Sequence, residues 1–146
     1  MRVSGLLEAA VYGPDLALLE RFYVEVFGLE PIARTEGRNV VLKAGRSALV
    51  LFDPRASSQP DGPFPPHGSA GPGHVAFIVP DDDLAGWRAH LDQLDVAIER
   101  EVDWPEGGRS LYVRDPAGNS IELAPPSLWG GLGQVHLRAT VLRRPQ

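Results

Sequence analysis

Three short apolar runs in this 146-residue chain each carry one metal-competent side chain: Glu8 in LLEAAVYG, His74 in GHVAFIVP and Glu122 in NSIELAP. Each run reads as a β-strand, along which side chains alternate between faces. In the last, Ile121 and Leu123 share one face while Ser120, Glu122 and Ala124 share the other. Val75, Phe77 and Val79 likewise oppose His74, Ala76 and Ile78, and Leu7, Ala9 and Val11 oppose Glu8, Ala10 and Tyr12. The apolar faces are expected to meet helices. Each opposite face sets its imidazole or carboxylate beside an alanine (Ala10, Ala76 or Ala124), which leaves room for something bound. A carboxylate in such a strand is either wet or paired, because burying it alone is costly.

The bulk numbers narrow the classes. A hydrophobic fraction of 43% and a charged fraction of 23% suit one soluble domain with a real core. A net charge of −5 argues against nucleic acid as the main partner, since phosphate binding needs a basic face. With no cysteine, disulfides, thiolate nucleophiles and cysteine-ligated zinc are excluded. No apolar stretch is long enough to cross a bilayer, and MRVSGLLEAAVYGPDL lacks a signal-peptide pattern. The expectation is a cytoplasmic protein without a membrane partner.

The elements that must position these residues occur twice. Residues 53–73 hold six of the 14 prolines, a density that predicts neither strand nor helix. This linker divides two similar stretches. In the first, the strand over 6–13 precedes a helix with Asp15 as N-cap, Leu16, Leu19, Phe22, Tyr23 and Val26 as its apolar positions, and Gly28 as C-cap. LEPIAR, NVVLKA and SALVLF then read as strands separated by turns at Glu36-Gly37 and Ala44-Gly45. In the second, GHVAFIVP precedes the helix DDDLAGWRAHLDQL, with Leu84, Trp87, Leu91 and Leu94 as its stripe. VAIEREVDW, RSLYVR and NSIELAP follow as strands. The expected architecture is α+β: paired βαβββ modules forming a curved mixed sheet around a central cleft, since neither half could bury its sheet alone. The boundaries are a single domain over 1–126 (module one 5–54, linker 55–72, module two 73–126) and a tail over 127–146. In that tail Leu137, Val141 and Leu142 are candidates to dock on the body, and Arg138, Arg143 and Arg144 are expected in solvent.

With this plan, GHVAF, FYVEVFGLEP and DPAGNSIEL make residues 5–126 resemble the vicinal oxygen chelate superfamily, which includes glyoxalase I, extradiol dioxygenases, fosfomycin-resistance enzymes and bleomycin-resistance proteins. The resemblance implies a metal in a cleft between modules, held by Glu8, His74 and Glu122. The strand ending the first module offers Leu49 or Val50, so a fourth protein ligand is absent, and three ligands leave open positions. One imidazole and two carboxylates make a harder site than a two-histidine facial triad, which disfavours extradiol chemistry. Such a donor set suits Mn, Fe, Ni, Co, Mg or Zn as the divalent ion. The resemblance also implies a homodimer, with modules paired within one chain or exchanged between chains.

Around the candidate ligands, Ser110, Tyr112 and Arg114 share one strand face and are candidates to line the cleft. In fosfomycin-resistance enzymes a tyrosine at the place of Tyr112 contacts substrate; the alternative is an ordinary strand tyrosine in water. Arg114 either meets an anionic substrate or pairs with Asp115 or Glu8. His67 is a solvated loop residue or an acid–base group on a flap. Trp104 and Trp129 either wall the pocket or fill core. His90 and His136 receive no role. The expected function is that of a metal-dependent enzyme binding vicinal oxygens of a small substrate for lyase, isomerase or addition chemistry, with Glu8 or Glu122 as proton-shuttling base. The rival is a metal-free protein that sequesters a small molecule or drug, attracting a cation to Glu8 and Glu122 between Tyr12, Trp104 and Tyr112.

Overall fold

The computed structural model describes residues 1–105 and 107–130. Module one runs β1 (Glu8–Tyr12), α1 (Leu16–Phe27), β2 (Glu30–Thr35), β3 (Asn39–Ala44) and β4 (Ser47–Phe52). After a short α2 (Pro54–Ser57), module two repeats the order with β5 (His74–Ile78), α3 (Leu84–Gln93), β6 (Arg100–Asp103), β7 (Arg109–Arg114) and β8 (Ser120–Ala124). Each module is one four-stranded sheet, ordered β1-β4-β3-β2 and β5-β8-β7-β6. In each, the first strand lies parallel to the last, and the remaining pairs are antiparallel. β1 and β5 are therefore both edge strands. The expected α+β architecture of two βαβββ modules is the observed one.

Local chemistry explains the helix limits. The Asp15 carboxylate accepts the Leu18 N–H at 2.9 Å, which satisfies one of the unpaired donors of the first turn of α1. Gly28, at φ 65°, ends the helix in the left-handed region. The N–H groups of Gly28 and Leu29 then close on the carbonyls of Val24 and Tyr23 at 3.0 and 3.3 Å. Before α3, Asp81–Asp83 form a 3-10 turn, so the second helix begins three residues later than the acidic run suggests. The linker is not wholly irregular: Pro54 occupies a first-turn position, where its missing N–H costs nothing, and Asp53 caps Arg55 and Ala56 at 2.8 Å each. β6 is shorter than VAIEREVDW implied, because Val96 and Ile98 pack on the core from irregular backbone. Leu94 is 41% exposed and lies off the buried stripe of α3. Pro126–Trp129 form a 3-10 turn, and the tail assignments at 131–146 lie outside the described residues. Among the described residues no helix is long and apolar enough to cross a membrane.

One continuous core joins the modules. Leu19, Tyr23 and Val26 of α1 cover Val11, Leu42, Leu49 and Leu51, while Leu84 and Leu91 of α3 cover Leu111, Val113, Ile121 and Leu123. Phe27 stands 5.1 Å from Phe77 and 6.1 Å from Trp87, centroid to centroid, which bridges the halves with apolar surface. His90 makes a hydrogen bond from Nε2 to the Val26 carbonyl (2.9 Å), satisfying an acceptor in the last turn of α1. The buried Tyr23 hydroxyl donates to Asp115 in the β7–β8 turn at 2.9 Å, across 92 residues of chain.

Gly13 sits where this turn meets β1 and α1. A Cβ there would lie 2.6 Å from Leu19 Cδ1 and 2.7 Å from Ala117 Cβ, closer than the packed atoms can yield. Gly86, exposed within α3, has nothing within 4 Å of the same position. Gly13→Ala is expected to cost about 1–3 kcal/mol by overpacking, whereas Gly86→Ala is expected to add about 0.5–1 kcal/mol by helix propensity. Denaturant midpoints at unchanged m-value measure both.

Candidate functional site

β5, β8 and β7 lie side by side, with Ala76 opposite Glu122 and Glu122 opposite Tyr112. This register places His74, Glu122, Tyr112 and Ser110 on one face. The first of them is oriented by backbone: His74 Nδ1 lies 3.1 Å from the Ser120 carbonyl. A carbonyl only accepts, so Nδ1 carries a proton in this contact and Nε2 is the nitrogen turned toward Glu122. That Nε2 faces Glu122 Oε2 at 3.4 Å. Either a proton on Nε2 or a cation between the two atoms makes this contact favourable. Glu122 is only 5% exposed, and its Oε1 is buried without a hydrogen-bond partner. Buried carboxylate oxygens normally have partners, so Oε1 is the unsatisfied atom of this face.

Tyr112 completes the wall of this face. Its ring stacks on His74 with centroids 6.4 Å apart and planes 22° apart. Burial, then the neighbouring Glu122 carboxylate, push the phenol up to about 12, so it stays a hydrogen-bond donor at physiological pH. Beside it, the Trp104 indole N–H donates to the buried Ser110 hydroxyl at 2.8 Å.

Module one contributes differently. Glu8 is exposed on β1, paired with Ala48 in register. Val50, opposite Ala10, occupies the place that Glu122 holds opposite Ala76, so this position supplies no ligand. Among the described residues no group of three or more histidine and carboxylate side chains is close enough to hold one metal ion. Within one chain, therefore, His74 and Glu122 come together and Glu8 does not. The reason is where the modules dock. The Asn119 amide binds the carbonyl of Tyr12 at the far end of β1 (3.0 Å). Four residues of extended chain hold Glu8 about 13 Å from that contact.

The other candidates fall in two places. Tyr12 and His67 belong to module one: the Tyr12 hydroxyl and His67 Nδ1 are hydrogen-bonded at 2.7 Å, and the imidazole stands edge-on to Phe52 at 4.5 Å. His67 thus pins the linker to the Glu8 face of sheet one rather than hanging in solvent. Arg114 pairs with neither Asp115 nor Glu8. It forks onto Glu99 at 2.7 and 3.0 Å and donates to the Gly118 carbonyl at 3.0 Å. Trp129, at 70% exposure, fills no core. Sequence reasoning missed the Ser120 carbonyl and the His90 contact, since neither backbone acceptors nor long-range partners leave a signature in residue type.

These features define a class: a two-module βαβββ protein with a histidine–carboxylate pair on one face of the second sheet. Residues 5–123 match the model of the Glyoxalase/Bleomycin resistance protein/Dioxygenase superfamily, and the chain belongs to that family. It is similar to a lactoylglutathione lyase from Agrobacterium tumefaciens, with 42% identity over 88% of this chain and 98% of that one and a TM-score of 0.85. An integron cassette protein of V. cholerae (24% identity, 87% and 98% covered, TM-score 0.68) shares the fold. So does a mutant of the fosfomycin resistance protein FosX from Listeria monocytogenes, complexed with Mn(II) and 1S,2S-dihydroxypropylphosphonic acid (19% identity, 92% and 100% covered, TM-score 0.67). Among curated protein sequences none matches the chain.

All three tyrosines of the chain are shifted upward from the ordinary 10.0: Tyr12 and Tyr23 chiefly by burial, and Tyr112 to about 12. A raised folded-state value means that the fold favours the neutral phenol. The associated stability is fully present below pH 10.0 and is lost as pH rises through the folded values, for Tyr112 the window from 10.0 to about 12. Phenolate absorbance of the native protein is expected to rise only above the range seen in denaturant, with stability falling in the same window. A native phenol titrating at the ordinary value contradicts this environment.

Proposed function

We propose that the protein is a metal-dependent enzyme of the glyoxalase type, acting on a small substrate with adjacent oxygens, and that each site is built from two chains. The observation that carries this reading is the Glu122 carboxylate, buried with Oε1 unpartnered and Oε2 facing His74 Nε2. A divalent cation satisfies both at once, and imidazole with carboxylate suits Mn, Fe, Ni, Co or Zn more than a purely oxygen-seeking ion. On this reading His74 and Glu122 of one chain hold the ion with Glu8 of a second. The similarity to the Agrobacterium lyase supports lyase-type chemistry, and the Mn(II) bound by FosX with a dihydroxy ligand supports a cation and adjacent oxygens.

The second chain has a place to sit. Among the described residues β1 and β5 each end their sheet with no further strand hydrogen-bonded outside them, and a groove of about 790 Å³ opens between the modules, lined by Ala9, Phe27, Val75, Phe77, Trp87 and Leu123. Leu6, Leu7 and Ile78 are 71%, 78% and 56% exposed beside these strands. Apolar edges of this kind favour burial against another copy. A homodimer of this sort gives two equivalent composite sites.

When bound, the cation supplies Lewis-acid polarisation of the substrate oxygens. The chain's own residues do the rest. Glu122 or Glu8 takes the proton from the polarised carbon or oxygen and returns it. Tyr112, held neutral, donates a hydrogen bond toward Glu122 or a substrate oxygen. Trp104 and Ser110 brace the strand that carries it, and Ala76 and Ala124 leave room for the substrate beside the carboxylate.

Protein purified without chelator is expected to carry about one divalent ion per chain, lost in Glu122→Ala. Glu8→Ala and His74→Ala are each expected to abolish tight binding alone. Co-produced in one cell, the two variants form hybrid dimers with one intact site, restoring about a quarter of the wild-type sites. No recovery on mixing rejects the two-chain site. A metal-free wild type that binds an aromatic cation replaces the enzyme with the sequestering reading.

A further inference from the structure

The β7–β8 turn does more than reverse the chain. Asn119 is 2% exposed and makes side-chain hydrogen bonds to groups from three segments. Its Oδ1 accepts the Gly73 N–H at 2.7 Å. Its Nδ2 donates to the Tyr12 carbonyl at 3.0 Å and to Asp115 Oδ2 at 2.8 Å. Gly73 immediately precedes His74, and its carbonyl in turn accepts the Ser120 N–H at 2.9 Å. The same Ser120 offers its own carbonyl to His74 Nδ1. Residue 73 is thus gripped on both sides, by the Asn119 side chain and by the backbone of the next residue.

His74 needs that grip. It opens an edge strand, so among the described residues no strand pairs its other side, and its side chain is 52% exposed. Beyond the stacked Tyr112 ring, packing does little to fix the imidazole. What fixes it is the distance from the Ser120 carbonyl, which depends on Gly73 and Ser120 staying in register. Gly73 itself leaves little slack, since a Cβ there would lie 3.3 Å from Asn119 Oδ1.

We propose that Asn119 is a positioning residue for His74: by holding the Gly73 N–H it keeps the imidazole on the Ser120 carbonyl, with Nε2 aimed at Glu122. The assignment rests on the metal-binding reading above but is tested separately from it. Hydrogen-bonded partners behind a metal-binding histidine set its tautomer and orientation, and losing them typically weakens metal binding. Asn119 also ties the site to β1 through Tyr12, so one amide aligns the strand that carries His74 with the strand that carries Glu8.

The test compares Asn119→Ala with Tyr23→Phe. Both remove a hydrogen bond to the Asp115 carboxylate and both lower stability, but only the first releases Gly73. Nitrogen NMR of the His74 ring in metal-free protein is the first readout. Wild type and Tyr23→Phe are expected to show the Nδ1-protonated tautomer, and Asn119→Ala a mixture. Mn²⁺ titration is the second: Asn119→Ala weakens binding about tenfold to a hundredfold, and Tyr23→Phe stays within about twofold of wild type. Asn119→Asp, which retains the acceptor for Gly73, is expected to recover the His74 tautomer despite its closeness to Asp115. If Asn119→Ala folds and keeps the wild-type tautomer, or if the two variants weaken Mn²⁺ binding equally, Asn119 is merely structural and the proposal is overturned. A wild type showing the single tautomer but no Mn²⁺ binding refutes the metal reading and leaves the positioning role standing.

Discussion

A carboxylate excluded from water must find hydrogen-bond donors, and Asp115, at 4% exposure, finds them in both halves of the chain. Its Oδ1 takes the backbone N–H groups of Ala117 and Asn119, and its Oδ2 takes the Asn119 amide and the Tyr23 hydroxyl from α1. Leaving any of these donors or the carboxylate unpaired would carry a desolvation penalty of about 1–3 kcal/mol. The apolar core holds the modules together without direction. This polar cluster specifies the angle and register at which they meet, and with them the end of β1 that lies near β5.

The geometry of the candidate site follows from that docking. Because Tyr12, and not Glu8, is the end of β1 held against the β7–β8 turn, the first sheet's acidic residue is carried away from the pair His74–Glu122. The pair is left with one carboxylate oxygen unpartnered and the other facing the imidazole Nε2. Among the described residues both edge strands lie along an apolar groove with no further strand paired to them. An arrangement that is incomplete in one chain and has adhesive edges is what a site shared between two copies requires.

Much of this was legible from residue type. Asp15 and Gly28 mark α1 because capping is local chemistry, and the alternation in GHVAFIVP and NSIELAP assigns the faces of β5 and β8 because strand period is local geometry. The inward phase of Glu122 and Tyr112 follows from the same count. The position of Glu8 relative to His74 does not, since it depends on how two modules dock through contacts between residues 92 and 107 positions apart. Tyr23 reads as one more apolar helix position until its hydroxyl is seen on Asp115. Likewise the proline-dense linker hides α2, because a proline in a first turn looks the same in sequence as one that breaks a helix.

The most direct measurement is anomalous diffraction from crystals grown with Mn²⁺. The account predicts an anomalous peak between His74 and Glu122 of one chain and Glu8 of its neighbour. A peak held by residues of a single chain, or Mn²⁺ absent while His74 and Glu122 bond only to each other, contradicts it.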